Sequence, residues 1–183
     1  MCGVEKAGAE QNAVAMERAI RRDVTLHAYM FMQSGIPVLY SGDEVGQVND
    51  YSYKDDPDKA ADSRYLHRGK MDWEQAAQVA DKKSVAGQIF SQLDSLEKIR
   101  RSSQAFTVEA DARTLATGDD NVLGIGRVYG DEEILGVFNF SEYDKELSLE
   151  GVEGAYQDMI TEKKVLPGKI SLPGYGFCYL VGK

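Results

Sequence analysis

The chain has 183 residues, and its hydrophobic content of 43% is enough to build a folded core. Its 30 Asp and Glu residues outnumber its 21 Lys and Arg residues, and the resulting net charge of −9 would repel the phosphates of a nucleic acid. The longest strongly apolar run, residues 28–32, is far shorter than the roughly 20 residues of a membrane helix, so we expect neither a nucleic-acid nor a membrane partner.

The first predicted element is a helix that begins near residue 11. Its apolar residues recur every three or four positions and therefore share one face: Met16, Ile20, Val24, Ala28 and Phe31. Leu26, Met30 and Met32 widen this face, which indicates a helix packed between neighbours. Gly35 is expected to end the helix.

The next elements are a strand, a long loop and a second helix. Residues 36–40 form a short apolar run between turn residues, which predicts a strand buried on both faces. Residues 41–83 are polar and show no sustained period, so they predict a long binding loop with one short helix near residues 74–80. Ser84 is a suitable N-cap for the second helix, whose apolar face carries Val85, Ile89, Leu93 and Leu96.

After Ser102 the pattern changes to short strand-like runs separated by turn signals. The predicted strands are residues 112–116, 122–129, 132–140, 145–149, 156–160, 169–172 and 177–181. Their regular spacing favours an antiparallel β-sandwich. The sequence thus predicts an α/β domain at residues 1–101, which includes the long loop 41–83, and an all-β domain at residues 102–183.

Two adjacent carboxylates, Asp43 and Glu44, directly follow the predicted strand 36–40. The carboxyl end of a buried strand is a common position for catalytic groups. Neighbouring side chains on an extended segment diverge, however, whereas a catalytic carboxylate pair must face one scissile bond across about 5 Å. We therefore expect Asp43 and Glu44 to brace the loop.

Two arginines in the loop, Arg64 and Arg68, are spaced four residues apart beside aromatic neighbours. A charge-rich stretch of this kind is usually solvated surface. An arginine fork can also hold a carboxylate or the hydroxyls of a sugar in a fixed geometry, so we predict the wall of a polar pocket here. Aromatic residues of the loop are candidates for stacking on sugar rings or for covering a core edge: Tyr51, Tyr53, Tyr65 and Trp73.

The remaining motifs favour no cofactor. His27 fits a core histidine, and His27 and His67 have no cysteine at a zinc spacing. Residues 124–130 contain a Gly-x-Gly pattern, but inside a predicted strand, where it lacks the strand-to-helix turn that binds a phosphate. The N-terminus shows no secretory or transit signal and the two cysteines do not suggest a disulfide framework, so we expect a cytoplasmic protein with no metal.

Three stretches of the chain resemble amylosucrase-type enzymes of the α-amylase family, family 13 of the glycoside hydrolases. They are GIPVLYSGDEVG at residues 35–46, NDYSYKDDPDK at 49–59 and DSRYLHR at 62–68, with FNFSEY at 138–143 as a further match. The second and third stretches are similar to the sucrose-acting branch. The resemblance implies that residues 1–101 are the last strand and flanking helices of a (β/α)8 barrel, and that the β-sandwich is the family's C-terminal domain.

The resemblance also implies a role for the two loop arginines, and it shows which catalytic carboxylates of the family to look for in this sequence. Arg64, and as second choice Arg68, resembles the pocket arginine that helps to bind the glucosyl unit against an upstream Asp. The family's nucleophilic Asp, acid/base Glu and stabilising Asp follow earlier strands, and their motifs do not occur in this sequence. We therefore expect a retaining parent enzyme that acts on sucrose or an α-glucan, no activity from this chain alone, and self-association through its barrel-facing surface.

Two alternatives stay open at this point. The first is a stand-alone carbohydrate-binding or interaction module, which needs an exposed aromatic row; the candidates, most of which alternate as core residues do, are Tyr129, Phe138, Phe140, Tyr156, Phe177 and Tyr179. The second is a fragment of a trehalose-forming or α-1,6-glucosidase relative, although the loop of those relatives differs from DSRYLHR.

Overall fold

A computed structural model of the chain describes residues 2–182. These residues form helices and antiparallel β-sheets. They divide into two compact units, which we name the loop unit, up to Asp23 and Leu39–Gln92, and the sheet unit, Val24–Val38 and Leu93 onward. No helix within residues 2–182 is long and apolar enough to cross a bilayer.

The helices match the sequence prediction at both long segments. They are α1 (Val4–Ala9), α2 (Ala13–Met32), α3 (Trp73–Ala76) and α4 (Val85–Ser102), with short 3-10 helices at Asp43–Val45, Tyr51–Asp55, Ser63–His67 and Gln104–Phe106. Ser84 caps α4 as predicted, because its hydroxyl accepts a hydrogen bond from the Gly87 amide at 2.9 Å. Helix α1 was not predicted, because its six residues are too few to show a helical period.

The predicted apolar face of α2 is confirmed from Ile20 to Phe31, with one exception. Ile20, Val24, Ala28 and Phe31 are buried, and so is Met32. Leu26 is 42% exposed, so its assignment to the face was wrong. It lies two positions from both Val24 and Ala28, and residues two apart point to opposite sides of a helix.

The sheet unit contains two antiparallel sheets. Its strands are β1 (Asp111–Leu115), β2 (Val122–Tyr129), β3 (Glu132–Asn139), β4 (Lys145–Leu147), β5 (Tyr156–Asp158), β6 (Lys164–Val165), β7 (Ile170–Leu172) and β8 (Phe177–Gly182). One sheet has the order β1-β2-β3-β8-β5-β6, and β4 pairs with β7 in the other. All seven predicted strands are present, while the two-residue strand β6 was missed because it is too short to alternate.

Apolar residues from both sheets meet in one core cluster of the sheet unit. The cluster contains Leu115, Val122, Leu135, Val137, Leu149, Tyr156, Ile170, Leu172, Cys178 and Leu180. Aromatic rings of β3 and β8 meet helix α2 instead: Tyr29 packs edge-on against Phe138 and Phe140, with ring centroids 5.9 and 5.8 Å apart. The central strands of the sheet therefore carry apolar side chains on both faces.

The predicted buried strand at residues 36–40 is wrong for this chain. The segment forms no strand ladder, and alternate side chains face solvent: Ile36 is 86%, Val38 75% and Tyr40 55% exposed. A strand buried on both faces requires neighbouring strands and covering helices. No strand within residues 2–182 pairs with this segment, so Ile36, Val38 and Tyr40 stay exposed.

Two arginines of the sheet unit bind the carbonyl groups that helix α2 leaves unsatisfied at its C-terminus. Arg100 donates to the carbonyls of Phe31 and Gly35, the latter at 2.7 Å. Arg127 is fully buried, and it donates to the Ser34 hydroxyl at 2.9 Å and to the Met32 carbonyl at 3.3 Å. Burial lowers the pKa of both groups, and the Arg100 charge lowers that of Arg127 further. We call this pair the arginine clamp.

The FNFSEY stretch has a structural role that centres on Asn139. This side chain is fully buried and donates to the carbonyls of Tyr143 and Pro173 at 2.7 and 2.9 Å. Its Oδ1 accepts hydrogen bonds from the amide and hydroxyl of Ser141. Asn139 thus joins the turn after β3 to the turn before β8.

Candidate functional site

The predicted loop is ordered by a series of short helices, each of which begins at an aspartate. Asp50 accepts a hydrogen bond from the Ser52 amide, Asp62 from the Arg64 amide and Asp72 from the Gln75 amide, at 2.9 to 3.0 Å. An aspartate at this position satisfies an amide that the helix leaves free. These caps order the loop locally, and no side chain between residues 46 and 85 is buried.

Asp43 and Glu44 lie in a tight turn between Gly42 and Gly46. The Glu44 carboxylate accepts a hydrogen bond from the Gly42 amide at 2.9 Å, and Asp43 also has a polar partner. Gly46 has a φ of +69°, and a Cβ there would lie only 2.7 Å from Ile89 Cδ1, so the turn requires glycine. The loop-bracing role of the two carboxylates stays a prediction, and the Glu44 contact is of the kind it requires.

Arg64 forms a fork with Asp62. Its Nε donates to Asp62 Oδ1 at 2.8 Å and its Nη2 donates to Oδ2 at 2.7 Å. The hydrogen bond from Arg64 lowers the pKa of Asp62 to about 2. The Arg64 side chain is 71% exposed, so the sugar-binding role implied by the family resemblance stays a prediction.

Arg68 lines a cleft of about 620 Å³ in the loop unit. The other lining residues are Asp50, Ser52, Tyr53, Asp55, Asp56, Lys59, Tyr65 and Lys70. Lys59 pairs with Asp56 at 2.5 Å and lies 5.9 Å from the centre of the Tyr65 ring. Carboxylates, cations and tyrosine rings therefore line one concave surface, a combination suited to a polyhydroxylated ligand.

The two ends of the cleft-forming segment are joined at Asp50. The Asp50 amide donates to the Leu66 carbonyl at 2.9 Å, and the Asp50 carboxylate accepts the Ser52 hydroxyl at 2.6 Å, which lowers its pKa. Gly69 packs closely against Asp50, because a Cβ at position 69 would come within 2.7 Å of Asp50 Cβ. A side chain at position 69 would therefore push apart the stretches 49–59 and 62–68.

A second cluster of the loop unit joins α1 to the end of the DSRYLHR stretch. Asn49 Nδ2 donates to Glu5 Oε2 at 2.9 Å, and Asn49 Oδ1 lies 3.0 Å from His67 Nδ1. His67 is exposed. Sequence reasoning did not find this cluster, because no spacing connects residues 5, 49 and 67.

The predicted site residues are thus brought together only in part. Of the predicted set, Arg68, Tyr53 and Tyr65 line the cleft. Arg64 and the turn of Asp43 and Glu44 do not line it, and Tyr51 and Trp73 are 52% and 76% exposed. Lys59 and Asp50 were missed, since a charge-rich loop gives no periodic signal that separates lining residues from solvated ones.

The alternative of an exposed aromatic row finds no support in the sheet unit. Phe138 and Tyr179 are fully buried, Tyr156 is 6% exposed, and Tyr129 is 36% exposed. The hydroxyl of buried Tyr179 also donates a hydrogen bond to the Ala28 carbonyl at 2.5 Å. The Gly-x-Gly pattern lies within β2, as predicted. No cluster of three or more metal-ligating side chains is present among residues 2–182.

Comparison with curated proteins finds distant relatives of the chain. No protein-family profile matches the chain. The chain is 25% identical over 158 residues to a glucosylglycerate phosphorylase from Escherichia coli strain K12, and the alignment covers 85% of this chain and 27% of that protein. The chain therefore spans about a quarter of the length of this relative.

Several solved structures share the fold. Ttha1563 from Thermus thermophilus superposes with a TM-score of 0.67 at 22% identity, covering 93% of this chain and 33% of that one. A trehalose-6-phosphate hydrolase from Bacillus licheniformis gives a TM-score of 0.66 at 18% identity, with 89% and 39% covered. A variant of the trehalulose synthase MutB gives 0.67 at 16% identity, with 88% and 38% covered.

These likenesses show that the chain shares its fold with a part of each of these proteins. Two of these neighbours are named as a trehalose-6-phosphate hydrolase and a trehalulose synthase, and the chain covers 33 to 39% of the length of the three structures. Identities below 25% show a shared fold alone, and none of these proteins is named as an amylosucrase.

Proposed function

We propose that the chain is part of an α-amylase-family enzyme that transfers the glucosyl unit of sucrose or a related α-glucoside. The observation that carries the proposal is the cleft of the loop unit, in which Arg68, Tyr53 and Tyr65 lie on one concave surface. The surrounding residues resemble the sucrose-acting branch in two stretches, 49–59 and 62–68. The curated relative, named for glucosylglycerate, supports a glucoside as the substrate class.

The chemistry that we propose divides the work between this chain and residues outside it. A retaining transfer needs one carboxylate that attacks the anomeric carbon and a second that protonates the leaving oxygen. The family motifs that carry these carboxylates do not occur in the 183 residues. In our proposal Arg68 and the two tyrosines bind sugar hydroxyls and ring faces, and Arg64 stays in place through its fork with Asp62.

Sugar binding by the chain is the first test. We expect sucrose to shift the Arg68 Nε–H resonance in NMR spectra of the ¹⁵N-labelled chain, and Arg68→Ala to weaken binding about threefold to tenfold. Arg113→Ala is the matched control, because Arg113 is an exposed arginine of β1 whose partner Glu133 also lies in the sheet unit. Equal binding by both variants, or no shift at all, would contradict the proposal.

Catalysis is the second test. The purified chain is incubated with sucrose, and separately with glucosylglycerate and inorganic phosphate, and the release of fructose and glucose 1-phosphate is assayed. We expect neither product, because the family motifs that carry the nucleophilic and the acid/base carboxylates do not occur in the 183 residues. Turnover of either substrate by the chain alone would overturn the fragment assignment.

We also propose a cytoplasmic location and self-association. Both cysteines are free, which is consistent with a reducing compartment. Ile36 and Val38 expose apolar side chains that a second copy can cover. Sedimentation velocity is expected to show oligomers that Ile36→Lys with Val38→Lys abolishes; a chain that is monomeric at every concentration would refute the self-association.

A further inference from the structure

The hydrogen bonds of Glu5, Asn49 and His67 fix the tautomer of the His67 imidazole. An ionised Glu5 carboxylate only accepts, so Asn49 must present its NH2 group to Glu5 Oε2, 2.9 Å away. Asn49 Oδ1 then faces His67 Nδ1 at 3.0 Å. Because this oxygen only accepts, Nδ1 carries the proton in the neutral ring, and the lone pair is on Nε2.

The backbone that precedes this imidazole is also held. The Leu66 carbonyl accepts the Asp50 amide at 2.9 Å, and the 3-10 helix Ser63–His67 is capped by Asp62. Asn49 and Asp50 therefore hold residues 66 and 67 through one side-chain contact and one backbone contact. A ring with a fixed tautomer on a tethered backbone is a pre-organised hydrogen-bond acceptor.

We propose that His67 Nε2 accepts a hydrogen bond from a sugar hydroxyl, as a substrate-binding group beside the cleft. The inference rests on the proposed function, because it takes the ligand of the loop unit to be a glucoside. His67 is exposed and precedes Arg68, which lines the cleft. Glu5 and Asn49 act through His67 as positioning residues, and no proton is transferred in this step.

Imidazole ¹⁵N NMR tests the proposal directly, because the chain has only two histidines. The ¹⁵N shift distinguishes a protonated ring nitrogen from one that carries a lone pair. In the neutral imidazole ring we expect His67 Nε2 to be unprotonated. Sucrose should move its resonance and leave the buried His27 unchanged, whereas ethylene glycol at the same hydroxyl concentration should move neither.

Paired variants separate positioning from general destabilisation. Glu5→Gln can donate as well as accept, so the Asn49 amide is free to flip and the Nε2–H tautomer should gain population. Glu10→Gln alters the other acidic residue near α1, which pairs only loosely with Lys6 at 3.8 Å, and should leave the tautomer unchanged. His67→Phe should weaken sucrose binding about threefold to tenfold, while His67→Gln, which keeps an acceptor, should restore part of it.

The outcomes separate this inference from the proposed function. A protonated Nε2, or a sucrose shift at Arg68 without one at His67, would overturn the role of His67 and leave the glucoside cleft standing. A shift at His67 without one at Arg68 would support His67 and remove Arg68 from the site. Sucrose shifts at neither residue would overturn both.

Discussion

The loop unit and the sheet unit are stabilised by different kinds of interaction. In the sheet unit, strands and helix segments far apart in sequence bury aromatic and aliphatic side chains together, and even an arginine is fully buried. In the loop unit, residues 46–85 bury no side chain and are shaped by aspartates that cap amides two or three residues away. The sheet unit is therefore stabilised by packing between residues distant in sequence, whereas the candidate site lies on loops with local caps.

The largest expected effect is the loss of an aromatic ring from the sheet unit. Phe138→Ala removes a fully buried ring that contacts Tyr29, Phe140, Phe177 and Tyr179. We expect the free energy of unfolding to fall by about 3–5 kcal/mol, measured by urea denaturation followed by circular dichroism. Trp73→Ala is the control in the loop unit, since that ring is 76% exposed. Equal losses of unfolding free energy in the two variants would contradict the view that the two units are stabilised differently.

The loss of Arg127 from the arginine clamp should have the second largest effect on the free energy of unfolding. Arg127→Met keeps the apolar stem but leaves the carbonyls of Ala105, Met32 and Thr107 without their donor. We expect a loss of about 2–3 kcal/mol in unfolding free energy, because each buried acceptor loses its partner. Arg113→Met, at an arginine that is 53% exposed, should change stability by less than about 0.5 kcal/mol. An unchanged free energy of unfolding in the Arg127→Met variant would show that water replaces the guanidinium.

The two cysteines allow the units to be compared chemically. Burial, with Asp23 nearby, raises the pKa of Cys2 in the loop unit to about 11, so at pH 8 its alkylation by iodoacetamide should be about 100-fold slower than that of an ordinary thiol. Cys178 in the sheet unit is buried, its pKa is raised further, and it should react only when the unit opens. Mass spectrometry of the labelled peptides checks both rates.

Phe138→Ala sharpens the same measurement. It should accelerate the labelling of Cys178 and leave that of Cys2 unchanged, because the ring belongs to the sheet unit. Equal acceleration of both thiols would mean that the two units open together.

The smallest effect concerns pH in the loop unit. The pKa of Asp62 is depressed to about 2 by Arg64, so its contribution to stability is present above the unfolded value near 3.9 and is lost as the pH falls towards 2. The Asp62 carboxyl carbon should therefore titrate below its ordinary range, as followed by ¹³C NMR. An Arg64→Gln variant should raise that midpoint, and an unchanged midpoint would refute the fork.

The sequence predicted those elements that depend on local pattern. The spacing of Ile20, Val24 and Ala28 located α2, and the alternating residues of β2 and β3 located the sheet. Leu26 was misplaced because it interrupts the helical spacing by two positions. The strand predicted at residues 36–40 was wrong, since an apolar run shows that a segment is suited to burial but not whether neighbours are present to bury it.

The candidate site was less predictable, because contacts between residues far apart in sequence complete it. Arg68 was found through its motif, and the structure places it in the cleft. The contact of His67 with Asn49, and of Asn49 with Glu5, joins three stretches that have no common pattern. The complete burial of Arg127 had no sequence signal either, since a charged residue in a strand is ordinarily read as exposed.

The arginine clamp also has a consequence for the order in which the chain acquires its structure. Arg127 binds the Met32 carbonyl across 95 positions of sequence, and Arg100 binds the Phe31 carbonyl across 69. During synthesis, α2 leaves the ribosome well before either of the side chains that satisfy its last turn. The final turn of that helix should therefore fray in every nascent chain until β2 has been made, and ribosome-bound intermediates of increasing length would record the moment at which it becomes fixed.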